Sequence, residues 1–463
     1  MHMVQPSSVI RSARGAKIGF VIFYPFQFYV FKNIYRELGD IAEFIIDSGR
    51  LHSLPQPEEA IGACAKLLEQ NGVRYRIFPF EDYFRERNAR LFFEPYEVLV
   101  SLWWSGSIGL PCNTSRKKVH INYGAGKELT MFSPHHRMWD LYLCLNPHIH
   151  EIIKLFTAAE VVGYPKFDDW FNGTVGDSDS TVLGLPEHVT RGKKVLLYLP
   201  THGDLCSIDA LVFELKKLAR KYAVIAKLHY YTTYIEPARK ELLRDSYITL
   251  LGDETDLLPL LQRADLVISD NSSAIFDALL ADKPVIATDF LSAEYLDQQH
   301  KKVKQYPARP LEGALTYSQS VEQRVKRDGT IISFSRPADL PDAVRRGLAD
   351  EPSFRERRRA LRNELFAFND GKCAARAAEA IERLRVARAL PERPILYHVF
   401  QNYRIRSGYT EQGMPPSSLY QNEYIYRKTR RGRDSLIRAG ARVLEIKSMP
   451  LAKRLVALAK EFF

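Results

Sequence analysis

Four short polar clusters in the second half of the chain have the residue types to hold a nucleoside diphosphate. Asp270-Asn271-Ser272-Ser273 places two hydroxyls where an apolar run stops and a helical pattern starts. Free backbone N–H groups and the positive end of the helix dipole favour an anion at such a point. Asp277 follows one turn later, on the face that looks back at the loop. Pro200-Thr201-His202-Gly203, and Lys227 with His229-Tyr230-Tyr231, add hydroxyl, ammonium and imidazole groups. Asp253 to Asp256 precede a short apolar helix at 257–261. Each cluster alone has a plain reading: a serine caps a helix, a histidine satisfies a turn, Asp277 complements the dipole. Together they give hydroxyls and amides for phosphate, a histidine for the pyrophosphate charge or the leaving group, and a carboxylate for ribose hydroxyls.

The spacing of apolar residues predicts what positions these clusters. The stretch 265–290, DLVISDNSSAIFDALLADKPVIATDF, reads as strand, loop, helix, strand, and parallel strands need such a crossover. Strand-like runs at 195–199, 224–228 and 248–250 precede it, with helical patterns at 210–222 and 236–243. A first set runs from 17–23, with a helix carrying Phe28, Phe31, Ile34, Tyr35 and Leu38, to strands near 98–101, 119–122, 141–144 and 161–165. This alternation predicts an α/β protein with two Rossmann-like, doubly wound parallel sheets, whose strand ends face a shared cleft. The Gly-, Ser- and Asp-rich segment after Phe171 reads as a linker. The expected units are therefore 1–180, 181–390 and a tail, 391–463. Asp177-Ser178-Asp179 is formally a metal-holding DxD, but it falls in the linker and reads as a solvated loop, so no metal site is expected.

Composition narrows the class. With 46% hydrophobic and 26% charged residues the chain is an ordinary globular protein with room for more than one core. The cysteines Cys64, Cys112, Cys144, Cys206 and Cys373 have neither disulfide nor zinc spacing, which fits a reducing cytoplasm. No signal peptide is expected, and the apolar stretch 18–31 is broken by Pro25 and Gln27, short of a membrane span. The formal charge of +11 is concentrated at the end, where 386–463 holds 15 Lys and Arg against 6 Asp and Glu. There a tyrosine-rich stretch, the cluster RKTRRGR at 427–433 and two amphipathic patterns read as an anchor to an anionic membrane surface. Packing on the protein's own body or an oligomer contact is the other reading of the tail. Nucleic acid is not expected as a partner, for no finger or RRM-type signature is present.

Taken in order, PTHG at 200–203, KLHYY at 227–231, DLLPLL at 256–261, the 264–290 segment and FNDGKCAARAAEAI at 368–381 resemble the CDP-glycerol glycerophosphotransferases of teichoic-acid and capsule synthesis. GYPKFDDWF at 163–171 is similar to that family's GYPRxD segment. The resemblance implies a GT-B fold, a donor held mainly by the second domain and no metal or other cofactor. It implies that His229 meets the pyrophosphate or assists departure of CMP, that Ser272 and Ser273 bind phosphate, and that Asp277 meets glycerol or ribose hydroxyls. Thr201, His202, Lys227, Asp270 and Asn271 complete the expected donor set.

Three positions depart from the family's pattern. Tyr230 stands where proline is usual after the histidine, and Asn271 where the phosphate loop usually has tyrosine. In the first domain, Asn122-Tyr123-Gly124-Ala125-Gly126-Lys127 aligns with a loop whose histidine is the family's expected base, and Tyr123 takes that histidine's place. Gly124 and Lys127 keep the backbone approach and the cation on the acceptor side. A phenol with an ordinary pKa near 10 is a poor base at neutral pH, so Glu128, His135 and His136 are the other candidates. The implied activity is transfer of glycerol phosphate, or a similar polyol phosphate, from a CDP-linked donor to a hydroxyl of a lipid-linked or polymeric glycan. Its expected location is the inner face of the plasma membrane, as a peripheral protein. A GT-B glycosyltransferase using a nucleotide sugar, and a nucleotide-binding scaffold without a base, are the alternatives.

Overall fold

Apolar runs rich in Val, Ile, Leu and Phe recur between breakers, and in the computed structural model each forms a parallel strand. The described residues are 15–52, 54, 56–126, 134–176, 192–244, 247–291 and 320–394. The first sheet contains β1 (Ile18–Ile22), β2 (Ala42–Asp47), β3 (Tyr75–Phe78), β4 (Val98–Ser101), β5 (Lys117–Ile121), β6 (Leu141–Cys144) and β7 (Ala159–Val161). Its order is β3-β2-β1-β4-β5-β6-β7, with every pair parallel. The second contains β8 (Val195–Leu199), β9 (Ala223–Lys227), β10 (Ile248–Leu251), β11 (Leu266–Ser269), β12 (Val285–Thr288) and β13 (Ile332–Phe334), in the order β10-β9-β8-β11-β12-β13. Its pairs are parallel too. In both sheets the strand order reverses beside the first strand, and that switch point is where ligands of open α/β sheets bind.

Strands covered on both faces need apolar residues at every position, and β8 shows it. Val195, Leu197 and Leu199 join one core, while Leu196 and Tyr198 on the other face join a second. The first of these cores is continuous with that of the first sheet, so the two domains share apolar packing.

The chain returns to the first domain at its last described helix, Cys373–Val386. Asp168 of the first domain accepts from the backbone N–H groups of Cys373 (3.0 Å) and Ala374 (2.6 Å), placing a carboxylate on the helix start. At the other end the Lys117 ammonium donates to the carbonyls of Leu384, Arg385 and Ala387 at 2.7, 2.8 and 2.7 Å. Gly163 explains why the GYP and NDGK segments belong together. At φ +85° a Cβ there would lie 2.4 Å from Cys373 Sγ and 2.7 Å from the Ala367 carbonyl, so only glycine permits this approach.

All five cysteines are free thiols, and among the described residues no helix is long and apolar enough to cross a membrane. The DxD at 177–179 and the basic tail from 395 onward lie outside the described residues.

Candidate active site

A cavity of about 360 Å³ opens between the two domains at the carboxyl ends of their strands. The first domain contributes Phe26, Tyr29 and Val30 from the helix Phe26–Leu38, Trp103 from the loop after β4, Tyr123 after β5, and Lys166. The second contributes His202 after β8, Lys227 and His229 at the end of β9, Asp253 after β10, and Ser272, Ser273 and Asp277 after β11. Polar groups from four neighbouring strand ends thus meet at one opening, as the sheet order requires.

At its centre the helix Ala274–Leu280 begins. The Ser272 hydroxyl accepts from the Ala274 N–H at 3.2 Å, so this serine also serves as a cap. Ser273 faces the other domain, and a Cβ on Gly124 would sit 3.6 Å from its Cβ, which puts the acceptor-side loop in contact with the donor-side loop. Asp277 is paired across the cleft. Lys166 Nζ lies 2.6 Å from its Oδ2, and the Tyr164 hydroxyl lies 3.1 Å from its Oδ1 and 2.6 Å from the Tyr123 carbonyl. Burial pushes the Tyr164 phenol well above its ordinary range, so it stays a donor. A second link joins Lys32 to Asp169 and Asp256, both at 2.9 Å, and a third runs from the Tyr29 hydroxyl to the Glu254 carbonyl at 2.6 Å.

His229 is oriented by its own helix. Its Nδ1 accepts from the Tyr231 N–H at 3.2 Å, capping the helix Tyr230–Tyr234. An imidazole that accepts at Nδ1 carries its proton at Nε2, so the second nitrogen is a donor, suited to an anionic oxygen. The ring stacks on His202, with centroids 4.5 Å apart. Lys227 donates to the Gly252 carbonyl at 3.2 Å, and burial, the largest influence on it, lowers its pKa.

Several expected donor residues do not reach the cavity. Asp270 is fully buried and accepts four times: from the Thr201 N–H at 2.9 and 3.2 Å, and from the Ser207 N–H (3.0 Å) and hydroxyl (2.9 Å). It ties the loop after β8 to the loop after β11, and Thr201 contributes its backbone to that tie. Burial raises the Asp270 pKa to about 6 despite these bonds. Asp270→Asn would turn an amide N–H₂ toward donors and should lower stability by about 1–3 kcal/mol, read as a lower thermal midpoint. Asn271 accepts from Lys326 at 3.3 Å and is held away from the cavity wall. His136 packs against Tyr142 and Phe156, with ring centroids 5.1 and 6.1 Å away, inside the first domain. Lys127, Glu128 and the side chain of His135 lie outside the described residues.

A family model, CDP-glycerol:poly(glycerophosphate) glycerophosphotransferase, matches residues 109–310, which include the Tyr123 loop, the GYPK segment and the donor loops up to Asp277. The pattern of that family lies in this segment of the chain. No curated protein matches it. Among solved structures, the wall teichoic acid polymerase TagF is similar over 80% of this chain and 88% of its own, at 15% identity and a TM-score of 0.51. A putative UDP-N-acetylglucosamine 2-epimerase from Listeria monocytogenes aligns over 82% and 99%, at 13% identity and a TM-score of 0.52. MnaA of S. aureus, solved with UDP, aligns over 82% and 99% at 13% identity and 0.50. At such identities the likeness is one of fold, a GT-B-type pair of parallel-sheet domains.

Against the glycerophosphotransferase pattern, two departures meet in space. Tyr123 and Tyr230, where the resemblance expects histidine and proline, both pack on Phe26 and Trp103. Lys166 is a site residue that its GYPK segment alone does not single out, whereas the polar cluster at 253–256 already includes Asp253. The latter is 1% exposed and lines the cavity, and its carboxylate oxygens are poorly satisfied, with the Tyr234 hydroxyl beside them. Burial raises its pKa to about 7. Asp253 follows β10, three strands along the sheet from β11. Among the described residues no three His, Cys, Asp or Glu side chains converge as metal ligands would.

Proposed function

We propose that this chain is a glycerophosphotransferase or close polyol-phosphate relative. It takes the polyol phosphate from a CDP-linked donor and places it on a hydroxyl of a lipid-linked or polymeric glycan used at the cell surface. The observation that carries this reading is the convergence of Ser272, Ser273, Lys166, Lys227, His202 and His229 on one cleft, in a chain whose segment 109–310 matches that family.

The acceptor oxygen attacks the phosphorus that bears the polyol, in line with the bridging oxygen. The new P–O bond forms as the bond to the bridging oxygen breaks, and CMP leaves with that oxygen. His229 Nε2–H and the two lysines stabilise the charge that builds on CMP and on the transferring group, while Ser272 and Ser273 hold its oxygens. Charge neutralisation rests in this reading on protein cations, without a metal ion, and turnover should persist in EDTA. Phosphoryl transfer passes through a loose transition state in which the nucleophile's proton leaves late, to an oxygen of the transferred phosphate or to water. A strong base at position 123 is therefore less needed than binding and alignment, which makes Tyr123 compatible with activity.

The test is release of CMP from CDP-glycerol in the presence of a glycan acceptor, set beside UDP-, GDP- and CMP-linked sugars. Turnover confined to a sugar nucleotide would replace this reading with a glycosyltransferase.

A further inference from the structure

Buried charges flank the serine loop on both sides, one toward each neighbouring strand. On the β8 side Asp270 binds Thr201 and Ser207. On the β12 side stands Lys326, from the helix Val321–Arg327, with its side chain only 5% exposed. That helix is fixed in the core by the buried Val321 and Val325. The Lys326 ammonium donates to the Thr288 carbonyl at 2.8 Å, to Asp289 Oδ1 at 3.2 Å and to Asn271 Oδ1 at 3.3 Å. Thr288 and Asp289 close β12 and Asn271 follows β11, so the lysine joins the ends of two neighbouring strands.

An ammonium has three N–H donors and no acceptor, and here three acceptors meet them. A buried lysine is costly unless it is paired in this way. Burial lowers its pKa, and the Asp289 carboxylate favours the charged form. Thr288 and Asp289 would suffice to staple the helix to β12. The third bond reaches further, into the loop one residue before Ser272, and it fixes the Asn271 side chain beside the two serines that line the cleft. Tyrosine, which the resemblance expects at position 271, has no amide oxygen to offer. Lys326 does not itself line the cavity, so its influence on a ligand there passes through Asn271.

We infer that Lys326 is a positioning residue for the donor's diphosphate, acting through Asn271 to set where Ser272 and Ser273 present their hydroxyls. This rests on reading the serine loop as the donor's phosphate site.

The experiment measures binding of CDP to the full chain by calorimetry, with UDP in parallel. Asn271→Ala and Lys326→Met should each weaken CDP binding about tenfold, within what a misplaced contact group costs, and should raise KM for CDP-glycerol to match. The double variant should bind no more than about twofold worse than the weaker single variant, because both changes cut one link. A lysine that only staples β12 would lower the thermal midpoint when replaced and leave the CDP affinity of the folded protein unchanged. Unchanged affinity in Asn271→Ala, which keeps the buried ammonium on Thr288 and Asp289, overturns the inference even where Lys326→Met does not fold. Losses that multiply in the double variant overturn it as well. A wild type that binds UDP and not CDP ends the glycerophosphotransferase reading, and the same pattern of losses measured with UDP sustains the positioning role. Binding of neither nucleotide overturns both.

Discussion

Replacing His229 by alanine should lower turnover by two to four orders of magnitude while the protein stays folded. The first part follows from position. His229 lines the cleft at the end of β9, between Lys227 and the aromatic wall, and its Nδ1 is committed to the Tyr231 N–H. In the proposed reaction the proton at Nε2 is therefore available to an oxygen of the donor's pyrophosphate, where negative charge would grow as CMP departs. Positioned proton donors of this kind contribute roughly 10²–10⁴ in rate. The second part follows from the same bond. Alanine removes one cap from a five-residue helix, a loss of about 0.5–2 kcal/mol, small for a helix end anchored by the Tyr24 and Phe26 rings stacked on Tyr230. Single-turnover CMP release and a thermal melt separate the two effects. A fall in kcat with only a slightly lowered melt supports the assignment, and full turnover in the folded variant removes His229 from the mechanism.

The strand and loop pattern was legible because both sheets are buried on both faces, which forces continuous apolar runs between breakers. The serine loop, Lys227, His202 and His229 were legible as a group for the same reason: each lies at or just after the end of a strand of one parallel sheet. What the pattern does not carry is the direction a side chain takes at a strand end. Asp270 and Ser272 are two residues apart, yet one is sealed against Thr201 and Ser207 while the other lines the cleft. His136 was a candidate by nearness in sequence to Tyr123, but the short helix Pro134–Met138 turns it onto Tyr142. Contacts made across the cleft were the least legible. Lys166 with Asp277, and Tyr123 with Trp103 and Phe26 beside Tyr230, join residues whose partnership depends on how the domains close.

Asp253 gives the second large effect, on stability. An isolated carboxylate taken out of water is costly in its charged form and responds by holding its proton. Here burial dominates, Lys227 and the Tyr234 hydroxyl favour ionisation, Glu254 opposes it, and the pKa rises from 3.8 to about 7. The half-buried Tyr29 and the buried Cys64 also face this group. Below pH 4 the folded and unfolded chains are both protonated at this position. Between pH 4 and 7 the unfolded chain has lost the proton that the folded chain keeps, so stability falls as pH rises. Above pH 7 the full penalty is present, on the order of 4 kcal/mol for a shift of this size. Asp253→Asn removes the titration and keeps the shape. Its melting temperature relative to wild type should therefore climb by several degrees between pH 5.5 and 8.5. A difference that stays constant across that range would show that the carboxyl is not protonated in the native fold. The stabilised variant also bears on function, because a group kept at such a cost on the wall of a cleft is one that substrate binding can compensate. If the donor or acceptor brings a hydrogen-bond donor to Asp253, saturating ligand should flatten the wild-type pH slope and leave that of Asp253→Asn unchanged.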